Sequence, residues 1–188
     1  MARARSPEKR SAILEAAAYE IAETGLGAPT AKIAKRAGVA EGSLFTYFAN
    51  KEELLNELYL ELKIEVYGRV NTDFPQRAAL KRRARHLWAC FLDWAIEFPH
   101  KRKASVQLNL SDLITPETRA RTLAERGAID AIFNDLGRRG TLRGLPPGFA
   151  AATMSAMQEA TMDFVGKQPK QRAALIERAF EVFWRAVK

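Results

Sequence analysis

The sequence predicts an all-α protein. Apolar residues recur with the helical period of about 3.6 along most of the chain. No segment shows the strict alternation of apolar and polar residues that is typical of a half-buried β-strand. Glycines and prolines divide the helical pattern into segments, and 188 residues are enough for one large domain or for a small domain joined to a larger one.

The first predicted helix spans residues 7–24. Ser6 is a favoured N-cap residue, Pro7 suits the first turn, and Glu8 complements the positive end of the helix dipole. Gly25 ends the helix. Four apolar residues fall on one face and are expected to point into the core: Ile13, Leu14, Ala17 and Ile21.

Two short helices and the start of a long one follow. Thr30 can cap the second helix, and Gly38 can supply the left-handed turn that ends it. A third helix of about two turns fits residues 41–47. Asn50 and Glu53 then have the spacing of a capping box, which predicts a fourth helix through about residue 70.

The second and third helices predict a helix-turn-helix. Ala34, Val39 and Leu44 face inward and would hold the two helices at a fixed angle across the glycine turn. The second helix of such a unit is short because it only has to enter the major groove of DNA. The N-terminus of the following helix, where Lys51 lies, favours a phosphate oxygen.

The remainder of the chain is predicted to form further helices near residues 77–97, 100–111, 117–138, 148–166 and 170–187. The last two carry more apolar surface than one core-facing stripe needs, because Leu175, Ala179 and Val182 widen the apolar sector of the final helix. Alanines recur every four residues in the helix before it. We expect these two helices either to form a four-helix dimer interface with a second copy or to pack on the helices near 77–138.

Composition and motifs exclude several classes of protein. The net charge of +8 suggests an anionic partner, although it also serves solubility. One cysteine and two histidines are too few for a structural zinc site without carboxylates, so no metal and no cofactor are expected. Neither a phosphate-binding glycine loop nor an H-E-x-x-H motif occurs, which argues against an enzyme. The basic run at residues 81–86 indicates a solvated helix face or, alternatively, a nucleic-acid contact.

Membrane association is not expected. No apolar leader follows the basic N-terminus. The most apolar run, residues 149–165, carries Glu159 and Asp163, which would be costly in a bilayer and favour a buried helix. With a single cysteine, the sequence predicts a protein of the reducing cytoplasm.

A pattern of small, apolar and basic residues extends over the predicted helix-turn-helix: Thr30-x-x-Ile33-Ala34-x-x-Ala37-Gly38-Val39, then Gly42-x-Leu44-x-x-Tyr47-Phe48-x-x-Lys51-Glu52-x-Leu54. This pattern resembles the N-terminal signature of the TetR family of transcriptional regulators (TetR/AcrR type), and "ILEAAAYEIAETG" resembles the first helix of that family. The resemblance covers residues 8–55. It implies a helix-turn-helix DNA-binding domain at residues 1–50 and a helical bundle for ligand binding and dimerisation at residues 51–188.

The resemblance further implies a dimeric, ligand-responsive repressor. Its partners would be a near-palindromic double-stranded DNA operator, an unknown small-molecule effector that releases it, and a second copy bound through the helices near 148–166 and 170–187. The alternative is an architectural DNA-binding protein that is indifferent to sequence, whose binding would be almost wholly electrostatic.

Seven residues are expected to contact DNA if the resemblance holds. Thr30 would bind a phosphate, or serve only as an N-cap, and Lys51 would bind another phosphate. The remaining five belong to the third helix and would face the groove and its walls: Glu41, Gly42, Ser43, Phe45 and Tyr47. For Gly42 the alternative is close packing within the protein, and for Ser43 it is an ordinary exposed position.

The third helix departs from the family pattern in two places. Ala40 stands where serine or threonine commonly caps the helix, which forfeits about 0.5–2 kcal/mol and predicts that the helix orders fully only on DNA. Phe45 stands where tyrosine is usual, so only contact with a sugar or a thymine methyl remains. Glu41 is also unusual: it could accept a hydrogen bond from a cytosine N4 group or merely complement the helix N-terminus.

The effector-binding residues are harder to predict. The helix near 77–97 has more aromatic surface than a single stripe requires, so some of its aromatic residues are expected to face a ligand, and core packing is the alternative. The residues expected to bind the ligand are Trp88, Phe91, Trp94, Met157 and Glu159.

Overall fold

The computed structural model describes residues 6–188, and the described residues contain helices and no β-strand. The first five residues of the predicted DNA-binding domain lie outside the described part. The α-helices of the described part are α1 (Pro7–Thr24), α2 (Thr30–Arg36), α3 (Glu41–Tyr47), α4 (Lys51–Asn71), α5 (Leu80–Glu97), α6 (Pro99–Asn109), α7 (Pro116–Ala124), α8 (Ala128–Gly137), α9 (Phe149–Val165) and α10 (Arg172–Val187). The all-α prediction is confirmed.

The helices form two compact units. The first contains the described residues up to Glu65 together with Phe98–Ala124, and the second contains Val66–Glu97 and Glu125–Lys188. Packing therefore groups α6 and α7 with the three N-terminal helices and the first part of α4. The boundary predicted at residues 50/51 concerns function and does not coincide with the limits of these packing units, and it stays a prediction.

The core of the first unit forms around α1. Ser6 caps this helix as predicted, because its Oγ accepts a hydrogen bond from the Lys9 amide at 3.3 Å. Helix α1 packs against α2 and α6, and Gln107 of α6 donates to the Ile21 carbonyl at 3.0 Å. The side chains buried in this core include Ile13, Ala17, Ile21, Ile33, Ala34, Leu44 and Phe48.

The second unit has an aromatic core. Trp88 of α5 is buried between two rings of α10, with centroid distances of 5.9 Å to Phe180 and 5.8 Å to Phe183. Helix α9 packs on both α5 and α10. This unit therefore buries most of the aromatic residues that the sequence concentrates in α5 and α10.

Gly140 lies in close contact with the C-terminal end of the last helix of the second unit. It has a positive φ of 53°, and a Cβ atom at this position would lie 2.3 Å from the Lys188 carbonyl carbon. The neighbouring Thr141 hydroxyl donates to the Ala186 carbonyl at 2.5 Å. Only glycine allows so close an approach with this backbone conformation.

The single helix predicted over residues 117–138 is wrong. The structure has two helices there, α7 and α8, because the chain turns at Gly127 with a φ of 51°. A Cβ atom on Gly127 would lie 2.9 Å from the Asn71 side chain, whose Oδ1 also accepts from the Ala128 amide at 3.4 Å. The break thus depends on a residue distant in sequence.

The N-cap predicted at Thr30 is also wrong. Pro29 occupies the N-cap position of α2, and Thr30 is the first helical residue. The capping box at Asn50 is confirmed in part, since Asn50 Oδ1 accepts from the Glu53 amide at 2.8 Å. The Glu53 carboxylate accepts a hydrogen bond from the Ala49 amide rather than from the amide of the cap residue itself.

Within the described residues, no helix is both long and apolar enough to cross a membrane.

Candidate nucleic-acid interface

Helices α2 and α3 form a tight pair joined by a glycine turn. Gly38 has a φ of 68°, and the Val39 amide donates back to the Ala34 carbonyl at 3.0 Å, which closes the end of α2. One side of helix α3 is anchored in the core by the buried side chain of Leu44, and Phe48 directly after the helix is also buried. The other side of α3 consequently faces outward.

The exposed side of α3 carries the residues predicted to face the groove. Glu41, Gly42 and Ser43 are exposed, and Phe45 keeps 43% of its surface accessible although it is fully apolar. A Cβ atom on Gly42 would meet nothing within 4 Å, so packing within the chain does not require glycine there. The absent side chain instead leaves room at the surface of the helix.

The side chains of Thr30 and Glu41 meet at this surface. Thr30 Oγ1 donates a hydrogen bond to Glu41 Oε1 at 2.8 Å, which joins the first residue of α2 to the first residue of α3. Ala40, the N-cap of α3, offers no side-chain hydrogen bond, as the sequence predicted. Glu41 supplies the acidic side chain in the first turn, where it complements the helix dipole.

Tyr47 lies beside the start of α1. Its hydroxyl oxygen accepts a hydrogen bond from the Ser6 amide at 3.2 Å. Because a phenol can accept and donate at the same time, the hydroxyl proton can still be directed to another acceptor such as a phosphate oxygen. Lys51 is half-buried as the first residue of α4, directly after the Asn50 cap.

An ion-pair cluster that sequence reasoning missed fixes α2 to α1. Arg36 pairs through Nε with the buried carboxylate of Glu20 at 2.7 Å and through its terminal nitrogen with Glu23 at 2.9 Å. Its guanidinium lies 5.3 Å from the centre of the Tyr19 ring. The hydrogen bond to Glu20 raises the pKa of Arg36. No local spacing reveals this contact, because the partners lie on different helices.

Three residues of the basic run at 81–86 form ion pairs within the second unit. Lys81 pairs with Glu181, Arg83 with Asp135 and Arg85 with Glu177, at 2.6–2.7 Å. The pKa of Arg85 is raised by its hydrogen bond to Glu177. These contacts favour a structural role for the run over a nucleic-acid contact.

The helix-turn-helix also matches a known family by sequence. Residues 13–58 match the profile described as "Bacterial regulatory proteins, tetR family". The chain belongs to the TetR family. A TetR family transcription regulator from Shewanella sp. PV-4 has the same fold, with a TM-score of 0.81 and 28% identity over 97% of this chain and 98% of that one.

Two named relatives match part of this TetR-family chain. The fatty acid metabolism regulator protein of Bacillus subtilis is 39% identical over 72 residues, which are 38% of this chain and 37% of the relative. The HTH-type transcriptional repressor KstR2 of Mycobacterium tuberculosis is 49% identical over 51 residues, or 27% of this chain and 26% of the relative. The alignments thus cover just over a third of the length of the first relative and about a quarter of the length of the second.

The residues predicted to bind an effector lie in the second unit of the TetR-family structure. Trp88 and Trp94 are buried, and Phe91 is half-buried with its ring 6.0 Å from that of Trp94. Met157 and Glu159 of α9 are half-buried. The structure therefore places the three aromatic residues together on α5 and the other two on a helix that packs against it.

Three buried N–H donors of this unit lack a partner, namely Arg83 Nε, Trp88 Nε1 and Gln158 Nε2. Trp88 Nε1 on α5 and Gln158 Nε2 on α9 make no hydrogen bond in the described part of the chain, although both side chains are at least 95% buried. Buried donors are almost always satisfied in folded proteins, so an ordered water or an acceptor atom of a bound molecule would complete them. Sequence reasoning selected Trp88 for its ring and missed Gln158.

A separate cavity of about 440 Å³ lies in the second unit, between α8, the loop after it and the start of α9. Its lining residues include Arg126, Phe133, Arg138, Leu142, Leu145 and Phe149. None of the five predicted effector-binding residues lines it.

Among residues 6–188, no group of three or more histidine, cysteine or acidic side chains is arranged to hold a metal ion.

Proposed function

We propose that this TetR-family protein is a transcriptional repressor that binds a near-palindromic DNA operator as a homodimer and is released by a small molecule. The observation that carries the proposal is the outward side of α3, which presents Glu41, Gly42, Ser43 and Phe45 while buried residues hold the helix from below. A short exposed helix of this kind suits the major groove. Tyr47 and Lys51 would bind phosphates on either side of it.

The homodimer is supported by an apolar surface on α9 and α10. Ala152, Ala156 and Ala160 are all exposed along one side of α9. Phe164 continues this line with 53% of its surface accessible, and Val182 of α10 keeps 58%. Small side chains allow two helices to approach closely, and exposed apolar side chains on adjacent helices are typical of an interface with a second copy.

A dimer would give the protein its specificity. Two copies of α3 separated by roughly 34–36 Å, one turn of DNA, would select a near-palindromic sequence. An effector that binds better to a conformation with another spacing would lower DNA affinity by its differential binding alone. The unpaired donors of Trp88 and Gln158 support a small molecule that carries hydrogen-bond acceptors.

The proposal is tested by selecting bound duplexes from a random library at moderate salt. We expect the wild-type protein to retain a palindromic motif, and the double variant Tyr47→Phe/Lys51→Ala to lose most of its affinity for it. The matched control is Lys103→Ala, which removes an exposed cation of α6 in the same unit and should leave the motif and the affinity unchanged.

A sequence-indifferent architectural protein would behave differently in the same experiment. Its binding would be electrostatic, so all duplexes would be retained equally and affinity would fall steeply with salt. Retention of random sequences by the wild-type protein would therefore overturn the proposed repressor. The ion pairs of residues 81–86 argue against a second basic surface there that could bind DNA without sequence preference.

A further inference from the structure

Glu41 is an unexpected residue on a surface proposed to bind DNA. It is the only acidic residue between Glu23 and Glu52. It is exposed, and it belongs to the outward side of α3. A carboxylate at this position is repelled by phosphates and gains nothing from them, because neither group has a proton to donate. An acid placed there is favourable only where DNA offers a donor.

The hydrogen bond from Thr30 constrains what both residues can do. A hydroxyl has a single proton, and Thr30 Oγ1 uses it on Glu41 Oε1 at 2.8 Å. The Thr30 hydroxyl therefore cannot donate to a phosphate while this bond persists. Its role as a phosphate contact, which the family resemblance implies, conflicts with the geometry of this chain.

The same bond orients the Glu41 carboxylate. One oxygen is held by Thr30, and the other keeps its lone pairs for another donor. A side chain that is ordered before binding loses less conformational entropy at the interface. In the major groove, the N4 amino group of cytosine is the donor that pairs with an acidic side chain, whereas an amide such as glutamine pairs with adenine.

We propose that Glu41 reads a cytosine in each operator half-site and that Thr30 is the positioning residue that holds its carboxylate. This inference rests on the proposed function, because it needs α3 to lie in the major groove. It replaces the phosphate contact of Thr30 with a contact inside the protein. It also gives the acidic residue a role in choosing the base rather than in overall affinity.

The experiment measures Kd by fluorescence anisotropy for the selected operator and for every single-base variant of its half-site. We expect the wild-type protein to prefer cytosine at one position by roughly 5- to 150-fold, which corresponds to about 1–3 kcal/mol. Glu41→Gln should lose this preference, gain relative affinity for adenine at that position, and leave the other positions unchanged.

Variants of Thr30 test the positioning role. Thr30→Val keeps the shape of the side chain without the hydroxyl and should weaken discrimination at the same position severalfold. Thr30→Ser keeps the hydroxyl and should restore it. Lys51→Ala is the matched phosphate-contact control: it should weaken all duplexes by a similar factor and reduce the salt slope by about one per protomer. Unfolding curves of all variants confirm that each is folded.

Two results would overturn the inference. In one, Glu41→Gln keeps the cytosine preference of the wild type. In the other, Thr30→Val weakens every duplex equally and reduces the salt slope like Lys51→Ala, which would make Thr30 a phosphate contact. Both leave a palindromic motif in place, so the repressor proposal survives them. A wild-type protein without any preferred sequence would overturn both.

Discussion

The outward side of α3 and the apolar surface of α9 and α10 differ in how they are built. The first is formed by residues close together in sequence, and its polar side chains hold one another, as Thr30 holds Glu41. The second combines two helices and presents alanine, phenylalanine and valine. A polar, pre-ordered surface suits DNA, whose phosphates and base edges need directed hydrogen bonds. An apolar surface suits a second copy of the chain.

The supports beneath the two surfaces differ as well. Helix α3 rests on Leu44, with the buried Phe48 directly after it, and on an ion-pair cluster that fixes α2 to α1, whereas α10 rests on a cluster of several aromatic rings around Trp88. Aromatic side chains bury more apolar area per residue than aliphatic ones. We therefore expect single substitutions to cost more stability under α10 than under α3.

The largest effect is expected in the aromatic core. Phe183 is fully buried against Trp88, so Phe183→Ala should lower the free energy of unfolding by about 3–5 kcal/mol. The neighbouring Val182 points outward, and Val182→Ala is the matched control, with an expected change within about 0.5 kcal/mol for the isolated chain. Urea unfolding measures both. Equal losses for the two variants would contradict an aromatic core built around Trp88.

The second prediction concerns the apolar surface itself. Val182→Asp should raise the dimer Kd at least about tenfold, because a charge buried without a partner in an interface costs several kcal/mol. Sedimentation equilibrium measures the effect. Leu110→Asp is the control: Leu110 is an aliphatic residue of the first unit with 83% of its surface exposed, and the change should leave the oligomeric state unaltered. A dimer unaffected by Val182→Asp would exclude this surface as the interface.

The third prediction compares two carboxylates that bind the same arginine. Glu20 is buried and Glu23 is exposed, and both pair with Arg36. Glu20→Gln should lower the free energy of unfolding by about 1–2 kcal/mol, less than for a fully buried pair because Arg36 is partly exposed to solvent. Glu23→Gln should change it by less than about 1 kcal/mol. A larger loss at Glu23 would show that burial does not decide the strength of this cluster.

The contrast between the two surfaces also explains what the sequence could predict. The bounds of α1 and α3 follow from signals within a few residues, such as the Ser6 cap, and both are confirmed. The exposed residues of α3 are separated by a few positions on one short helix. Glu41, Gly42 and Ser43 are consecutive, so helical spacing does not place them on one side, and it is the family resemblance that predicts that they face DNA.

Contacts between distant residues could not be predicted in this way. In the sequence, nothing distinguishes Arg36 from the other basic residues, and only the structure shows its ion pair with Glu20. The break at Gly127 depends on Asn71, and the burial of Trp88 depends on Phe180 and Phe183. Helical periodicity shows that a residue faces a core, but it does not show which residues face it from other helices. The effector-binding residues stay a prediction for the same reason.

The smallest expected effect is at the start of α3. Ala40 is the N-cap of this helix and makes no side-chain hydrogen bond. Ala40→Ser should add a cap and stabilise the protein by about 0.5–1 kcal/mol. Ala49→Ser is the matched control, since Ala49 is equally exposed and precedes α4, whose cap Asn50 is already in place.

Ala40→Ser also tests whether α3 is fully ordered before it meets DNA. If part of the helix orders only on binding, the added cap would order that part in the free protein. Less conformational entropy would then be lost on binding, and operator binding should tighten by a few-fold. Isothermal titration with the selected operator measures the change. Stabilisation of the free protein without tighter binding would mean that α3 is already ordered. The pre-ordered character of this surface, set by Thr30 and Glu41, would then extend to the helix backbone.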